Sequence, residues 1–166
     1  MLGYFIKVGI KEHMSRGQYP SKRMRRNRMT AFSRRLVAET RLDTADLIWP
    51  LFVIEGNNIT QPVDTMPGVS RYSIDRLLDQ AATAIELTIP AIAIFPSINA
   101  TLKDEKGSLA CDGDNLVCRA VRAVKAAHPD LGVVCDVALD PFTTHGHDGL
   151  VDDGKVLNDE TISVLC

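Results

Sequence analysis

Three short apolar runs constrain this chain more than any other feature. They are Leu47 to Ile54, Ala91 to Phe95 and Leu131 to Leu139, and they recur roughly every 41 to 42 residues. Each is almost continuously apolar, and the first two are followed by a segment with helical periodicity. Strands that alternate polar and apolar residues have one wet face. Strands that read as unbroken apolar runs are buried on both faces, as in parallel sheets linked by crossover helices. An α/β fold with parallel strands is therefore expected. A (β/α)8 barrel uses eight such units over about 250 residues, and a doubly wound sheet uses at least four or five strands. Three units in 166 residues leave both open and read as part of a larger fold. No glycine-rich phosphate loop follows the first run, which counts against a dinucleotide-binding sheet.

The segments between the runs carry start and stop signals. Thr30 is placed to cap a helix containing Phe32, Leu36 and Val37. Pro50 interrupts the first run, so that strand is expected to begin near Leu51, and Glu55-Gly56-Asn57-Asn58 ends it as a turn. A polar loop including Met66-Pro67-Gly68-Val69 leads to Ser73, read as the cap of a helix whose apolar face is Ile74, Leu77, Leu78, Ala81 and Ile85. Asp75 sits in its first turn, where the helix dipole favours an anion. A second helix is expected from about Asp114, with Leu116, Val117, Ala120, Val121 and Val124 on one face and Pro129 beyond its end. Asn158 reads as the N-cap of a further helix containing Ile162, Val164 and Leu165.

Charge divides the chain. Residues 1 to 41 hold eleven Lys or Arg against two acidic residues, while the remainder is strongly acidic, for a net charge of −2. Residues 1–28 read as a flexible basic arm and residues 29–166 as the first part of the barrel-type domain. A basic arm on an acidic body suits either a nucleic acid or a neighbouring acidic protein surface. No apolar stretch reaches the roughly 20 residues of a membrane helix, and the start lacks the pattern of a signal peptide. A cytoplasmic protein is expected. The four cysteines form no Cys-x-x-Cys pair, so they are read as reduced thiols, with Cys135 a small buried residue.

The segment with chemical content is Cys135 to Gly149, at the C-terminal end of the third run, where both candidate folds place active sites. If the strand continues, Asp136, Ala138 and Asp140 share one face and Val137 and Leu139 the other. The carboxylates would then face the interior of the sheet, where a charge must be paired, hydrated or bound. Such a pair can serve a metal, an ammonium group, a shared proton, or an Arg or Lys from another strand. Asp148 can fold back to join them, since Gly146 and Gly149 allow the loop to bend. His145 and His147 are candidate metal ligands, but they lie on a loop rather than a strand, and a structural role for at least one is the alternative.

At this segment the chain resembles the porphobilinogen synthase (5-aminolevulinate dehydratase) family. The family motif Asp-Val-x-Leu-x-Pro-[Tyr/Phe]-Thr-[Ser/Thr]-His-Gly-x-x-Gly is matched from Asp136 to Gly149. Asp46 to Val53, Thr65 to Val69, Ile94-Phe95-Pro96 and Gly154 to Thr161 also look like family blocks, so the resemblance runs from about residue 22 onward. It implies a TIM (β/α)8 barrel, of which about the first three βα units are present, preceded by an N-terminal arm that wraps a neighbouring subunit in octamers or hexamers. It implies condensation of two 5-aminolevulinate molecules to porphobilinogen, through lysine Schiff bases that lie in the second half of the barrel and match nothing here. The chain by itself is then expected to be inactive.

The resemblance also implies roles for named residues. Asp136 matches the family's active-site aspartate and is the catalytic candidate. Zinc-dependent members carry three cysteines at the positions of Ala138, Asp140 and Asp148, so zinc cannot be held here through thiolates. Asp140 and Asp148 are assigned to the substrate ammonium group or to a weak magnesium site. Phe95 is assigned to the substrate pocket, with barrel filling as its alternative. Magnesium at a separate allosteric site, with its main ligand outside these residues, is implied for members with this aspartate pattern, and no organic cofactor. The arm is then a subunit contact and no nucleic-acid partner is expected. Two other readings compete. One is a barrel metal hydrolase using His145, His147 and Asp148, and the other is a non-catalytic basic binding module centred on Lys22 to Arg28. A partial barrel also leaves a strand edge and an apolar face uncovered, which favours self-association.

Overall fold

The computed structural model describes residues 18, 20–23 and 25–166. Most of the expected flexible arm, 1–28, lies outside the described residues. The chain divides into two compact units, residues 1–41 and 42–166. In the first unit, helix α1 (Ala31–Leu36) starts as its sequence implies. Thr30 is in an extended conformation, and its hydroxyl accepts the Ser33 N–H at 3.3 Å. Phe32 and Leu36 on α1 are exposed.

The second unit is built on a five-stranded sheet. In chain order its elements are β1 (Ile48–Val53), β2 (Thr60–Pro62), β3 (Ser70–Tyr72), α2 (Ile74–Glu86), β4 (Ala91–Pro96), α3 (Leu116–Ala127) and β5 (Gly132–Cys135). A small β6–β7 hairpin (Val151–Asp152 and Lys155–Val156) and α4 (Asn158–Leu165) follow. The strand order is β2-β3-β1-β4-β5. The three apolar runs form β1, β4 and β5, which lie side by side and parallel. Each crossover steps in the same direction, and α2 and α3 pack on the same face. A doubly wound sheet reverses its stepping and carries helices on both faces. This arrangement is that of a stretch of barrel wall, the first part of a TIM-barrel fold, and three strands stepping one way also occur as one half of a doubly wound sheet.

The core lies between that face and the helices. Leu51 and Val53 of β1 and Ile92 and Ile94 of β4 meet Leu77, Ala81 and Ala84 of α2 and Leu116, Ala120 and Val124 of α3. Small alanines at the helix contacts let α2 and α3 lie close to the strands. Lys125 closes the end of α3, its ammonium donating to the Pro129 carbonyl and, at 3.0 Å, to that of Leu131. The opposite face of the sheet, which includes Ile48, Phe52, Phe95 and Val134, is uncovered, and Ile48 and Val134 are 55% and 45% exposed.

Several local expectations are corrected. β1 begins at Ile48 rather than Leu51, with Pro50 inside it opposite Ala93. The Val53 carbonyl accepts from Ser97 on the β4 side, and the Ile54 N–H donates to Tyr72 on the β3 side. Alternation therefore turns the nitrogen of Pro50 toward β3, whose pairing begins only at Phe52. The missing N–H breaks no ladder bond. The polar loop after β1 contains β2 and β3, too short and polar to announce themselves. Ser73 stands at the N-cap of α2, but its hydroxyl does not cap the helix. It is fully buried, accepts from Ile59 N at 2.9 Å and donates to Asp75 at 2.6 Å. That hydrogen bond holds the Asp75 carboxyl below the usual range. Asn158 is the first residue of α4, not its cap. Cys135 is exposed rather than buried, because β5 is the sheet edge, and all four cysteines are free.

Leu77→Ala is expected to destabilise the unit by about 2–5 kcal/mol. Ile85→Ala, on the same helix but 46% exposed, is expected to change stability by less than about 1 kcal/mol. Denaturant melts of the two variants check the orientation of α2.

Candidate active site

The strand-end segment does not continue β5. The ladder closes at Ile94 opposite Cys135, and residues 136–138 have no strand partner. A turn follows, in which the N–H groups of Phe142 and Thr143 both donate to the Leu139 carbonyl at 2.9 and 3.0 Å. The expected sharing of faces by Asp136, Ala138 and Asp140 therefore fails. Period-two alternation needs a ladder to maintain it, and here Val137 is 68% exposed while Leu139 is 1% exposed. Leu139, Phe142 and Thr143 are the buried anchors of the loop.

The loop after β4 clamps this segment. Asp104 N–H donates to the Phe142 carbonyl at 3.3 Å, and Thr144 N–H donates to the Asp104 carbonyl at 2.9 Å, an isolated parallel bridge. The Asp104 carboxylate accepts the N–H groups of Ser108 and Lys106, and the Ser108 N–H foremost holds it below the usual range. The buried Thr143 hydroxyl donates to the His147 carbonyl at 3.1 Å. Gly146 takes a left-handed conformation with φ of 71°. Gly149 is needed for a different reason. A Cβ there would lie 2.8 Å from Thr161 Oγ1 and 2.9 Å from a methyl of Val156.

The outcome is a cluster of carboxylates. Burial pushes the Asp140 carboxyl above the usual range, and the neighbouring charges of Asp148 and Asp136 push it further. Asp136 and Asp148 thus lie near enough to Asp140 for their charges to act on it, within a loop rather than along a continued strand. Phe95 is not part of this group. It lies on the uncovered sheet face in register with Phe52, the two rings 6.1 Å apart. A hollow of about 490 Å³ beside the strand end is lined by residues of α3 and α4 and by the strand-end segment itself, with Asp136 and Arg122 among otherwise mostly apolar side chains. Among the described residues, no group of three or more His, Cys, Asp or Glu side chains is arranged to hold a metal. His145 is engaged at both ring nitrogens, with His147 N–H at 3.1 Å from Nδ1 and the Glu105 carbonyl at 3.1 Å from Nε2. The hydrolase reading, which needs that ring for a metal, loses its support.

Comparison with known proteins places this geometry. The family model for delta-aminolevulinic acid dehydratase matches residues 21–166. The chain belongs to the delta-aminolevulinic acid dehydratase family. It is 57% identical over 143 residues to the Bradyrhizobium diazoefficiens delta-aminolevulinic acid dehydratase, covering 86% of this chain and 40% of that one. It is 45% identical to the Chlamydia pneumoniae dehydratase, covering 87% and 44%. The Toxoplasma gondii enzyme, solved in complex with its reaction product porphobilinogen, superposes with a TM-score of 0.84 at 40% identity, covering 87% of this chain and 42% of that one. This member of the dehydratase family thus spans about two fifths of the length of those relatives.

Within the dehydratase fold, the clamp residues Asp104, Glu105 and Thr143 were not singled out from the sequence. Asp104 carried a local signal, a turn-forming aspartate three residues before Gly107. Nothing local indicated which distant loop it would meet. Asp140 supplies a test of the cluster. Its folded pKa is raised above the unfolded value, so its contribution to stability is complete below the ordinary carboxylate range and is lost as pH rises through the raised value. Asp140→Asn is expected to remove that loss, flattening the stability profile across the window. Thermal melts from acid to neutral pH measure it, and an unchanged profile contradicts the clustering.

Proposed function

We propose that this chain is the N-terminal portion of a porphobilinogen synthase, a lyase of tetrapyrrole (haem) biosynthesis that condenses two 5-aminolevulinate molecules with loss of two waters. The observation that supports the reading is the family match over residues 21–166 together with the position of the Asp136–Gly149 motif at the C-terminal end of a barrel-type strand. Barrel enzymes assemble their chemistry at that end. In this reading Asp136 orients or polarises the reacting groups. Asp140 and Asp148 receive the substrate ammonium group, which relieves the repulsion that raises Asp140. Phe95, on the inner sheet face with Phe52, forms part of the pocket wall. The Schiff-base lysines come from the barrel portion outside these residues.

The donor set decides the metal question within this reading. Ala138 offers no ligand and Asp140 and Asp148 offer oxygen, so the cysteine-type zinc site is not formed. The cluster is assigned to an ammonium group rather than to a metal, and magnesium is assigned to an allosteric site whose main ligand lies outside this chain. No organic cofactor is required. The basic segment before β1 is read as an arm that docks on an acidic surface of another copy in a homo-oligomer, an octamer or hexamer, rather than on nucleic acid. A cytoplasmic location fits the reading, and no helix among the described residues is long and apolar enough to cross a membrane.

Porphobilinogen formation from 5-aminolevulinate tests the proposal. A protein carrying the remaining barrel units is expected to turn over, and the 166-residue chain alone is not. In the active protein, Asp136→Asn is expected to lower kcat by about a hundredfold or more. Thiol-directed chelators are expected to leave activity intact. Loss restored only by zinc contradicts the oxygen-ligand assignment.

A further inference from the structure

Resting on the reading above, we propose that His145 is a positioning residue: its imidazole, held at both nitrogens, fixes the turn that delivers Asp148 to Asp140. The hydrogen bonds decide its protonation pattern. The backbone N–H of His147 can only donate, so Nδ1 must be bare. The carbonyl of Glu105 can only accept, so Nε2 must carry the proton. One neutral tautomer satisfies both contacts, and the reverse tautomer satisfies neither. The charge-bearing form of the ring would leave the His147 N–H facing a second donor.

The position of the ring explains why these two bonds matter. Nδ1 closes a three-residue loop across Gly146, whose left-handed backbone reverses the chain between the two histidines. The carbonyl of His147 is held from the other side by the buried Thr143 hydroxyl. His147 is thus fixed through its N–H and its C=O, and Asp148 is the next residue. Nε2 meanwhile ties the same turn to Glu105, beside the Asp104 bridge to Phe142 and Thr144. The ring of His147 lies with its centroid 5.4 Å from that of His145. The turn that precedes Asp148 is therefore held by hydrogen bonds above the buried anchors Leu139 and Phe142, and the His145 ring contacts both loops through its polar atoms.

Side-chain nitrogen and carboxyl carbon NMR of the 166-residue chain tests this without turnover, so it is separable from the assay for porphobilinogen formation. The wild-type ring is expected to show a bare Nδ1 and a protonated Nε2; the opposite pattern overturns the proposal. Asp148→Asn sets the full downward shift of the Asp140 titration that follows when Asp148 no longer repels it. His145→Ala is expected to reproduce most of that shift. His145→Asn, whose side-chain oxygen takes the place of Nδ1, and His145→Gln, which supplies a donor toward Glu105 in place of Nε2, each restore one of the two bonds and are each expected to show a shift smaller than that of the alanine variant. If the alanine variant does not fold, the asparagine and glutamine variants decide. An Asp140 titration that is unmoved in every His145 variant that folds, or lowered in both His145→Asn and His145→Gln by the full shift of Asp148→Asn, overturns the role.

Discussion

Parallel strands cannot be joined by a tight turn, so the steps from β1 to β4 and from β4 to β5 each require a crossover helix. Both helices return on the same face, where Leu51, Val53, Ile92 and Ile94 meet Leu77, Ala81, Ala84, Leu116, Ala120 and Val124. This packing has two consequences. It aligns the C-terminal ends of the three strands, so the loops after β4 and β5 emerge next to each other. It also leaves the other sheet face, with Phe52, Phe95 and Val134, facing inward in the sense of a barrel wall. The carboxylate cluster is downstream of both.

The two adjacent loops then meet through backbone polar groups. Asp104 bridges Phe142 and Thr144, and Glu105 accepts from His145. Such contacts are modest singly, each worth about 0.5–1.5 kcal/mol net. They are directional, however, and a loop that must hold like charges together needs direction more than it needs bulk. Burying Asp140 and setting the charges of Asp148 and Asp136 near it are both unfavourable in isolation, and both push its carboxyl above the usual range. The surrounding hydrogen bonds hold that arrangement in place, and a cationic ligand group would relieve it.

Some of this was legible residue by residue. The unbroken apolar runs indicated parallel buried strands, and the helical periodicity of Leu77 and Ala81, and of Leu116, Ala120 and Val124, indicated the buried helix faces. These signals are local, because the pattern repeats within a single element. The stepping direction of the crossovers and the face on which both helices return were not local. The extent of β5 failed for the same reason. Val137 and Leu139 read as strand residues, but a strand lasts only as long as its partner, and the β4 ladder stops at Cys135. Pro50 failed in the opposite sense, since its nitrogen happens to face the unpaired side of β1.

The motif from Asp136 to Gly149 pointed by sequence alone to the family, and its Ala138, Asp140 and Asp148 offer oxygen donors and no thiolate. Identity of donor atoms is a property of the residues themselves. Which carboxylates meet, and what holds them, was decided by tertiary structure. Asp140 feels Asp148 across eight positions of chain, and the ring of His145 reaches Glu105 across forty. The first is a fold of one loop back on itself, and the second depends on the crossover through α3 that sets the loop after β4 beside the loop after β5, a meeting that no pattern within either loop encodes.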